Sequence, residues 1–467
     1  MAGVRLPRGG PARPAPRLFY GWIIVGAVVC LLAVAYVVWY TFTLFLVALV
    51  REFGWTRAEV AGAFSLYVLV HAGCSPITGR LVDRFGPRPL VHLGALLVGL
   101  ALVGCSQLTA RWQLYLFFGV LAAIGVTMMG WVPCITLVGR WFSRRLGLAV
   151  GLAGAGIGVG TFIGAPVVQF LIETHGWRTA YLALAGALAL LPQPLALLLC
   201  PRPEARGLAR DGAPLPVPEG PAGAAPAAPA RPDPRVVDPA WVQQEWTVSR
   251  AVRTRRFQLL FTTFALISFG VQQTHAHQAA YLIGSGYDPL LAATVVGAVG
   301  LASIAGKILV GTTSDWLGRE PVLTLSVGAG VGAMLLLLAA AGGTLPAPLL
   351  FLYAGLFALS YSVNASLAPS IASDLFYGRH YGAIFGVLNV SAGLGGATGA
   401  WLGGFLFDRT GSYQGVWLVI IVAFALAMTL IWIAAPRHVV RTPGQARRAA
   451  RAGPAASPAV PAPGAEP

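Results

Sequence analysis

The chain has 467 residues, of which 57% are hydrophobic and only 10% are charged, and its formal net charge is +16. So much apolar sequence exceeds what a soluble core needs and indicates a membrane protein with long spanning segments. The arginines gather at the ends of apolar runs and in the tails, so the positive charge reflects membrane topology, and nucleic acid is not expected as a partner.

Twelve apolar runs follow one another along the chain, and each approaches or exceeds the roughly 20 residues needed to cross a bilayer. They lie near residues 21–47, 58–79, 89–108, 113–138, 147–172, 178–199, 257–283, 290–313, 321–342, 347–370, 381–406 and 413–435. We therefore predict an all-α integral membrane protein with twelve transmembrane helices in two six-helix halves.

Proline, alanine and glycine dominate the segments between and beyond these halves, and such composition cannot bury a core. We predict a disordered N-terminal tail at 1–17, a helix bundle at 18–199, a flexible linker at 200–256, a second bundle at 257–435 and a disordered tail at 436–467. Most arginines outside the spans lie on the side of the two termini and the linker. The positive-inside rule places that side in the cytoplasm of a multi-pass protein of the cell (inner) membrane. We expect it to function as a monomer.

Two internal repeats relate the halves. The segment that starts at Ser143 aligns without gaps with the segment that starts at Gly378, and their glycines coincide. A second match joins GRLVDRFGPR, from Gly79, with GTTSDWLGRE, from Gly311. Two matches in the same order indicate a duplicated six-helix unit.

The second repeat resembles the loop signature of the major facilitator superfamily, G-x-x-x-D-R-x-G-x-R. The second copy is degenerate, because Trp316 replaces the basic residue. One copy alone would also fit a solvated turn, but two copies at matching positions favour the superfamily, whose twelve-helix fold is then implied. In that superfamily these charges latch helix ends across the two halves. The resemblance therefore assigns a gating role to Gly79, Asp83, Arg84, Arg88, Gly311, Asp315 and Arg319.

A finer resemblance covers most of the membrane portion. The segments YGWIIVGAVV, REFGWTRAEVAGAFSL, RWFSRRLGLAVGLAGAGIGVG, HGWRTAYLALAGAL and HQAAYLIGSGYD are similar to bacterial relatives of monocarboxylate transporters and oxalate/formate antiporters. In that family helix 8 carries a cation, usually arginine, four residues before the second loop motif. This cation binds the substrate carboxylate. Lys307 occupies this position. A lysine cannot grip a carboxylate bidentately, so its selectivity is expected to differ. The antiporters carry a further lysine in helix 11, and its absence here argues against a dicarboxylate held by two cations.

Lys307 is the single lysine of the chain, and no Asp or Glu falls deep within a predicted span. An intramembrane charge is costly and functional by default, so a substrate anion is the natural counter-ion. The alternative is a structural lysine that snorkels toward the membrane surface, since Asp315 lies only about 12 Å farther along the helix.

A proton-coupled carrier needs a titratable group, and without a buried carboxylate the candidates are His277, His275, His71 and Lys307. The resemblance favours His277, which stands before a Y-L-x-x-x-G segment as in the family. His277 could instead bond at the membrane interface, and His71 could satisfy a helix irregularity near Pro76.

Helices 1, 4, 7 and 10 line the cavity in the superfamily, and polar residues on these helices are candidate ligands. With Lys307, the predicted substrate-binding residues are Tyr36, Tyr40, Gln273, His277, Tyr361, Asn364 and, on helix 11, Asn389. Each could instead bond one helix to another.

We therefore expect a secondary transporter of a small organic anion, a monocarboxylate, working by alternating access with proton coupling. Carboxylate exchange against a counter-anion is the alternative. Multidrug efflux is disfavoured because buried carboxylates are absent, and a sensor is disfavoured because no signalling domain is recognisable. The sequence contains no nucleophile triad, metal cluster or phosphate loop, so neither enzyme activity nor a metal or cofactor is expected.

Overall fold

A computed structural model describes residues 19–212 and 233–451. These residues form twelve long helices, which confirms the predicted fold. The helices are α1 (Tyr20–Phe53), α2 (Arg57–Phe85), α3 (Pro87–Ser106), α4 (Arg111–Trp141), α5 and α6 (146–175 and 177–198), α7 (Arg255–Gly284), α8 (Pro289–Leu317), α9 (Arg319–Ala339), α10 (Ala347–Phe376), α11 (Tyr381–Thr410) and α12 (Gln414–Ala434).

Ten stretches of the described residues are long and apolar enough to cross a membrane. The stretch Leu146–Leu198 counts once, although Gly176 divides it into α5 and α6 with a φ of 80°. The remaining helix, α7, is less apolar than the others because Gln272, Gln273, Thr274, His275 and His277 are polar. Gly411, the equivalent of Gly176 in the second half, has a φ of 65° and ends α11. The repeated glycines therefore mark the same turn in both halves.

The helix α4 is not regular. Residues Tyr115–Ala122 form a π-helix, and Gly130 interrupts the helix with φ −92° and ψ −130°. Trp131 begins the next helical segment, so the break at Gly130 sets the direction in which the Trp131 indole projects. Such irregularities occur frequently at functional sites.

The two halves approach each other most closely where α2 meets α11 and where α5 meets α8. A Cβ atom on Gly79 would overlap the carbonyl of Gly382, and one on Gly311 would overlap that of Gly147. Small residues allow this backbone approach in a membrane, where close packing replaces the hydrophobic effect.

This close approach is confined to one end of the helices. We call this end the linker side, because α1 begins there and the linker joins the bundles there. On α8 the contact reaches Ile304, 2.5 Å from the Cβ position of Gly158, but Gly297 and Gly300 meet nothing within 4 Å. The halves are therefore closed on the linker side and separate toward the opposite side.

Both described ends of the linker are packed, in contrast to the flexibility predicted for 200–256. The guanidinium of Arg210 donates to the carbonyls of Gly139 and Phe142 at 2.7 and 2.6 Å. The indole of Trp241 donates to the carbonyl of Leu375 at 2.8 Å. These side chains satisfy carbonyls that helix ends leave free, which fixes the linker to both bundles. The central part of the linker lies outside the described residues.

The segment after α12 is also packed, although disorder was predicted from residue 436. The carbonyl of Val439 accepts a hydrogen bond of 2.9 Å from the amide of Val237 in the linker. The amide of Arg441 donates to the backbone carbonyl of Arg235, also in the linker, at 2.7 Å. The guanidinium of Arg448 then donates to the carbonyls of Trp316 and Leu317. The predicted N-terminal tail at 1–17 and residues 452–467 lie outside the described residues.

Candidate substrate-binding site

Lys307 lies within the membrane-spanning part of α8 and is 2% exposed. Its backbone carbonyl accepts a hydrogen bond of 2.8 Å from Ser366 on α10. A Cβ atom on Gly154 would lie 3.6 Å from its Cδ atom and 3.4 Å from the Trp131 ring. The lysine stem therefore runs between α4, α5 and α10.

The ammonium of Lys307 faces an aromatic ring rather than an acid. Its Nζ atom lies 5.0 Å from the centroid of the Tyr361 ring on α10, a cation–π arrangement. No ion pair within the described ranges, 19–212 and 233–451, includes Lys307. The positive charge is thus buried with only a partial counter-charge.

Tyr361 connects Lys307 to helices of both halves. Its hydroxyl shares a hydrogen bond of 3.2 Å with the hydroxyl of Tyr40 on α1. The ring of His275 on α7 packs against the Tyr361 ring edge to face, with centroids 4.8 Å apart. We call Lys307, Tyr361, Tyr40 and His275 the lysine cluster.

One polar atom of the lysine cluster and one next to it are buried and have no hydrogen-bond partner among the residues described. They are Nε2 of His275 and Oδ1 of Asn364, which lies one turn from Tyr361 on α10. The other ring nitrogen of His275 lies 3.4 Å from the amide of Gln278. A carboxylate next to Lys307 could accept a hydrogen bond from His275, so the cluster has the groups needed to hold a small anion.

Tyr36 lies one turn before Tyr40 but points to a different neighbour. Its buried ring is 3.5 Å from the Cβ position of Gly130, at the break in α4. The ring of His71 packs among Tyr36, Trp39 and Tyr67, and its Nε2 atom has no partner in the described part of the chain. These aromatic rings form the wall between α1, α2 and α4.

Three of the predicted site residues make their contacts elsewhere. Nε2 of His277 lies 3.0 Å from the carbonyl of Ala400 on α11. The side chain of Gln273 packs at 3.0 Å from the Cβ position of Gly403, also on α11. Asn389 donates to the hydroxyl of Ser75 on α2 at 3.2 Å. None of these contacts involves the lysine cluster.

On the linker side, Asp83 joins α2 to α11. Its carboxylate accepts the amides of Gly382 and Ala383 at 3.0 and 2.8 Å, and it forms an ion pair of 2.9 Å with Arg140 on α4. These amides belong to the first turn of α11, where the helix dipole favours a negative charge. Arg140 was not singled out by the motif, because it stands at the end of another helix.

Asp315 makes the corresponding contact between α8 and α5. Its carboxylate accepts the amides of Gly147 and Leu148 at 3.0 and 3.1 Å and pairs with Arg319 at 2.8 Å. Arg319 also pairs with Asp374 on α10 at 2.9 Å. Sequence reasoning missed Asp374, which lies at the end of its helix outside any motif. We call the contacts of Asp83 and Asp315 the two latches.

The remaining basic residues of the first motif have different roles. Arg88 donates to the carbonyls of Leu199 and Leu197 at 2.5 and 3.0 Å, which fixes the start of α3 to the end of α6 within one half. The guanidinium of Arg84 lies over the Phe85 ring at 5.0 Å. Neither contact crosses between the halves.

Comparison with known proteins identifies the family. Residues 28–362 match the family model described as Major Facilitator Superfamily. The chain is 30% identical over 434 residues to monocarboxylate transporter 11 of Mus musculus. The aligned region covers 91% of this chain and 90% of that protein. It is 29% identical over 426 residues to monocarboxylate transporter 13 of Bos taurus, with 89% of each chain covered. A crystal structure of FucP, a Major Facilitator Superfamily transporter in the outward conformation, has the same fold. Its TM-score is 0.62 at 14% identity, with 89% of this chain and 100% of that chain covered. The chain therefore belongs to the Major Facilitator Superfamily and is a membrane transporter, not an enzyme.

Proposed function

We propose that this transporter carries a small monocarboxylate by alternating access, and that Lys307 binds the carboxylate. The observation that carries this proposal is the buried ammonium beside Tyr361, which has no acidic partner among the described residues. An unpaired charge within a membrane is costly, and a bound anion removes that cost. The names of the similar monocarboxylate transporters support the same class of substrate.

One cation at the site favours one carboxylate on the substrate. The hydroxyls of Tyr40 and Tyr361 can each donate or accept, so they suit a hydroxyl or keto group next to the carboxylate. The Tyr361 ring covers the ammonium from one side and limits the size of the substrate. We therefore favour a short, polar monocarboxylate over a long or doubly charged acid.

Alternating access requires the two latches to open while the opposite side closes. In this structure Asp83 and Asp315 close the linker side, which we assign to the cytoplasm from the arginine distribution. Of the hydrogen bonds between the halves in the described residues, the one between Tyr40 and Tyr361 lies farthest toward the opposite side. It is a candidate gate over Lys307.

We assign proton coupling to His275, because its ring lies against the same tyrosine as the ammonium. A proton on His275 and a carboxylate at Lys307 attract each other, so the binding of one favours the binding of the other. Without the anion, two neighbouring positive charges repel in a low-dielectric site. This gives symport of one proton with one monocarboxylate.

Anion exchange is a second candidate, and the same ammonium supports it. In this mode His275 stays neutral, and the empty site does not reorient through the membrane, because its ammonium then lacks a counter-ion. The carrier would then change sides only when loaded, and transport would require an anion on both sides.

Purified protein in liposomes tests these proposals, with radiolabelled lactate as the probe. Symport predicts accumulation driven by an inward proton gradient, whereas exchange predicts uptake only into liposomes preloaded with lactate. Lys307→Ala is expected to reduce either activity about 100-fold, because a hydrogen bond to a charged group contributes up to about 3 kcal/mol. Lys307→Arg is the matched control and should retain transport. Normal transport by Lys307→Ala would contradict the assignment of Lys307.

A further inference from the structure

A cleft of about 430 Å³ opens on the linker side, between the start of α7 and the end of α12. It lies outside the lysine cluster and uses none of its residues. Its lining includes Asp238, Trp241, Arg255, Arg256, Leu259 and Ile433.

The upper part of the cleft is basic. The guanidinium of Arg256 lies 4.5 Å from the centroid of the Trp241 ring, and its Nη1 atom is buried without a hydrogen-bond partner in the described residues. Neither Arg255 nor Arg256 forms an ion pair within those residues. Asp238 contributes the single carboxylate of the lining, and it accepts the amide of Trp241 at 3.0 Å. Two guanidinium groups therefore exceed one engaged carboxylate, and Arg255, which is exposed and makes no ion pair in those residues, can donate to an anionic oxygen.

The lower part of the cleft is apolar. Leu259 belongs to the first turns of α7, and Ile433, which is 49% exposed, lies near the end of α12. Both residues lie within about one turn of the linker-side end of a membrane-spanning helix, where we expect the headgroup region of the bilayer. The cleft thus offers guanidinium groups at headgroup depth and hydrocarbon directly below them. A free anion can use only the first of these features, whereas a phospholipid can use both.

We propose that this cleft binds an anionic phospholipid, with its phosphate on Arg255 and Arg256 and an acyl chain along Leu259 and Ile433. The indole of Trp241 holds the Arg256 guanidinium in place by stacking. The site is separate from the transport pathway, so it stands or falls independently of the proposed substrate.

The test uses the full-length protein, purified in detergent and examined by native mass spectrometry with added phosphatidylglycerol or phosphatidylcholine. Wild-type protein is expected to retain phosphatidylglycerol at least about tenfold better than phosphatidylcholine, because only the former carries net negative charge. The double variant Arg255→Gln/Arg256→Gln should lose this preference. The control Arg250→Gln/Arg253→Gln removes the same charge from the preceding short helix, Val248–Arg253, and should keep it.

Three results would overturn the proposal. Equal loss in the control variant would show that general positive charge, rather than the cleft, holds the lipid. Unchanged retention in the Arg255→Gln/Arg256→Gln variant would place the lipid elsewhere. Displacement of the lipid by millimolar inorganic phosphate would show that the site takes a free anion. The single variant Arg256→Gln, predicted to lose most of the preference, replaces the double variant if the latter fails to fold.

Discussion

Asp83 and Asp315 make the same contact in opposite directions across the boundary between the two halves. Asp83 at the end of α2 accepts the first amides of α11, and Asp315 at the end of α8 accepts the first amides of α5. The donors Gly382 and Gly147 are equivalent positions of the internal repeat. Each half therefore contributes one carboxylate and one helix start, and duplication of a single unit produces both latches.

The first prediction concerns the charge in a latch. Asp83→Asn keeps the shape of the side chain but removes the charge that the Arg140 guanidinium and the start of α11 stabilise. Hydrogen bonds to a charged group are worth about 1.5–3 kcal/mol, so we expect the population open on the linker side to increase about 10- to 100-fold. Faster hydrogen exchange at the amides of Gly382 and Ala383 would report this opening.

The control for this measurement is Asp408→Asn, an exposed carboxylate at the opposite end of α11. It removes the same charge from the same helix and should leave exchange at Gly382 unchanged. If the amides of Gly382 and Ala383 stayed protected from hydrogen exchange in Asp83→Asn, glycine packing alone would close the linker side.

The second prediction concerns that packing. A Cβ atom on Gly79 would overlap the carbonyl of Gly382, so Gly79→Ala must push α2 away from α11. Overpacking of this kind costs about 1–3 kcal/mol and acts only on the state in which the two helices touch. We expect the distance between spin labels on the linker-side ends of α2 and α11, measured by double electron–electron resonance, to increase.

Gly26→Ala on α1 is the matched substitution, because its Cβ position meets nothing within 4 Å. It should leave the distance distribution unchanged. An unaltered distribution in Gly79→Ala would show that the neighbouring backbone shifts locally and that the latch tolerates the methyl group.

The sequence was sufficient to predict the fold, because each membrane-spanning helix must be long and apolar and because the repeat is exact in position. The paired turns at Gly176 and Gly411 illustrate this, since both need a positive φ and both stand at equivalent positions. The residues that complete the latches, Arg140 and Asp374, could not be predicted. They come from other helices, and their contacts depend on three-dimensional packing.

The sequence also did not predict which side of each helix faces which neighbouring helix. A helix in a membrane is apolar toward lipid and toward its neighbours, so polar side chains such as Gln273 and Asn389 do not reveal which surface they occupy. Gln273 packs on α11 and Asn389 bonds to α2, whereas His275, two residues beyond Gln273, joins the lysine cluster. The break at Gly130, which sets the direction of Trp131, has no clear sequence signal beyond the glycine itself.

The third prediction concerns the hydroxyl pair over Lys307. Tyr40→Phe and Tyr361→Phe each remove the hydrogen bond between the halves but keep both rings. A neutral hydrogen bond contributes about 0.5–1.5 kcal/mol, so either change should speed maleimide labelling of a cysteine introduced at Asn364 by about two- to tenfold. The labelling is measured after the five native cysteines are replaced by alanine.

The double variant is the decisive measurement, because both single changes remove the same bond. Its labelling rate should match that of either single variant, whereas additive effects would mean that the two hydroxyls act separately. Tyr20→Phe removes a hydroxyl that bonds to Leu198 within one half, and it should not alter labelling at Asn364.

The last prediction concerns the segment after α12. Arg448 donates to the carbonyls of Trp316 and Leu317, which end α8 beside Asp315, and so ties this segment to a latch. Arg448→Ala should weaken that attachment and lower the melting temperature by a few degrees, because an exposed charged donor contributes at most about 1–2 kcal/mol. Arg447→Ala removes the neighbouring exposed charge, which makes no such contact, and should have little effect. If both variants melted at the wild-type temperature and hydrogen exchange at residues 316–318 stayed unchanged, the segment would not support the latch. If only Arg448→Ala increased exchange there, the segment would be part of the linker-side closure.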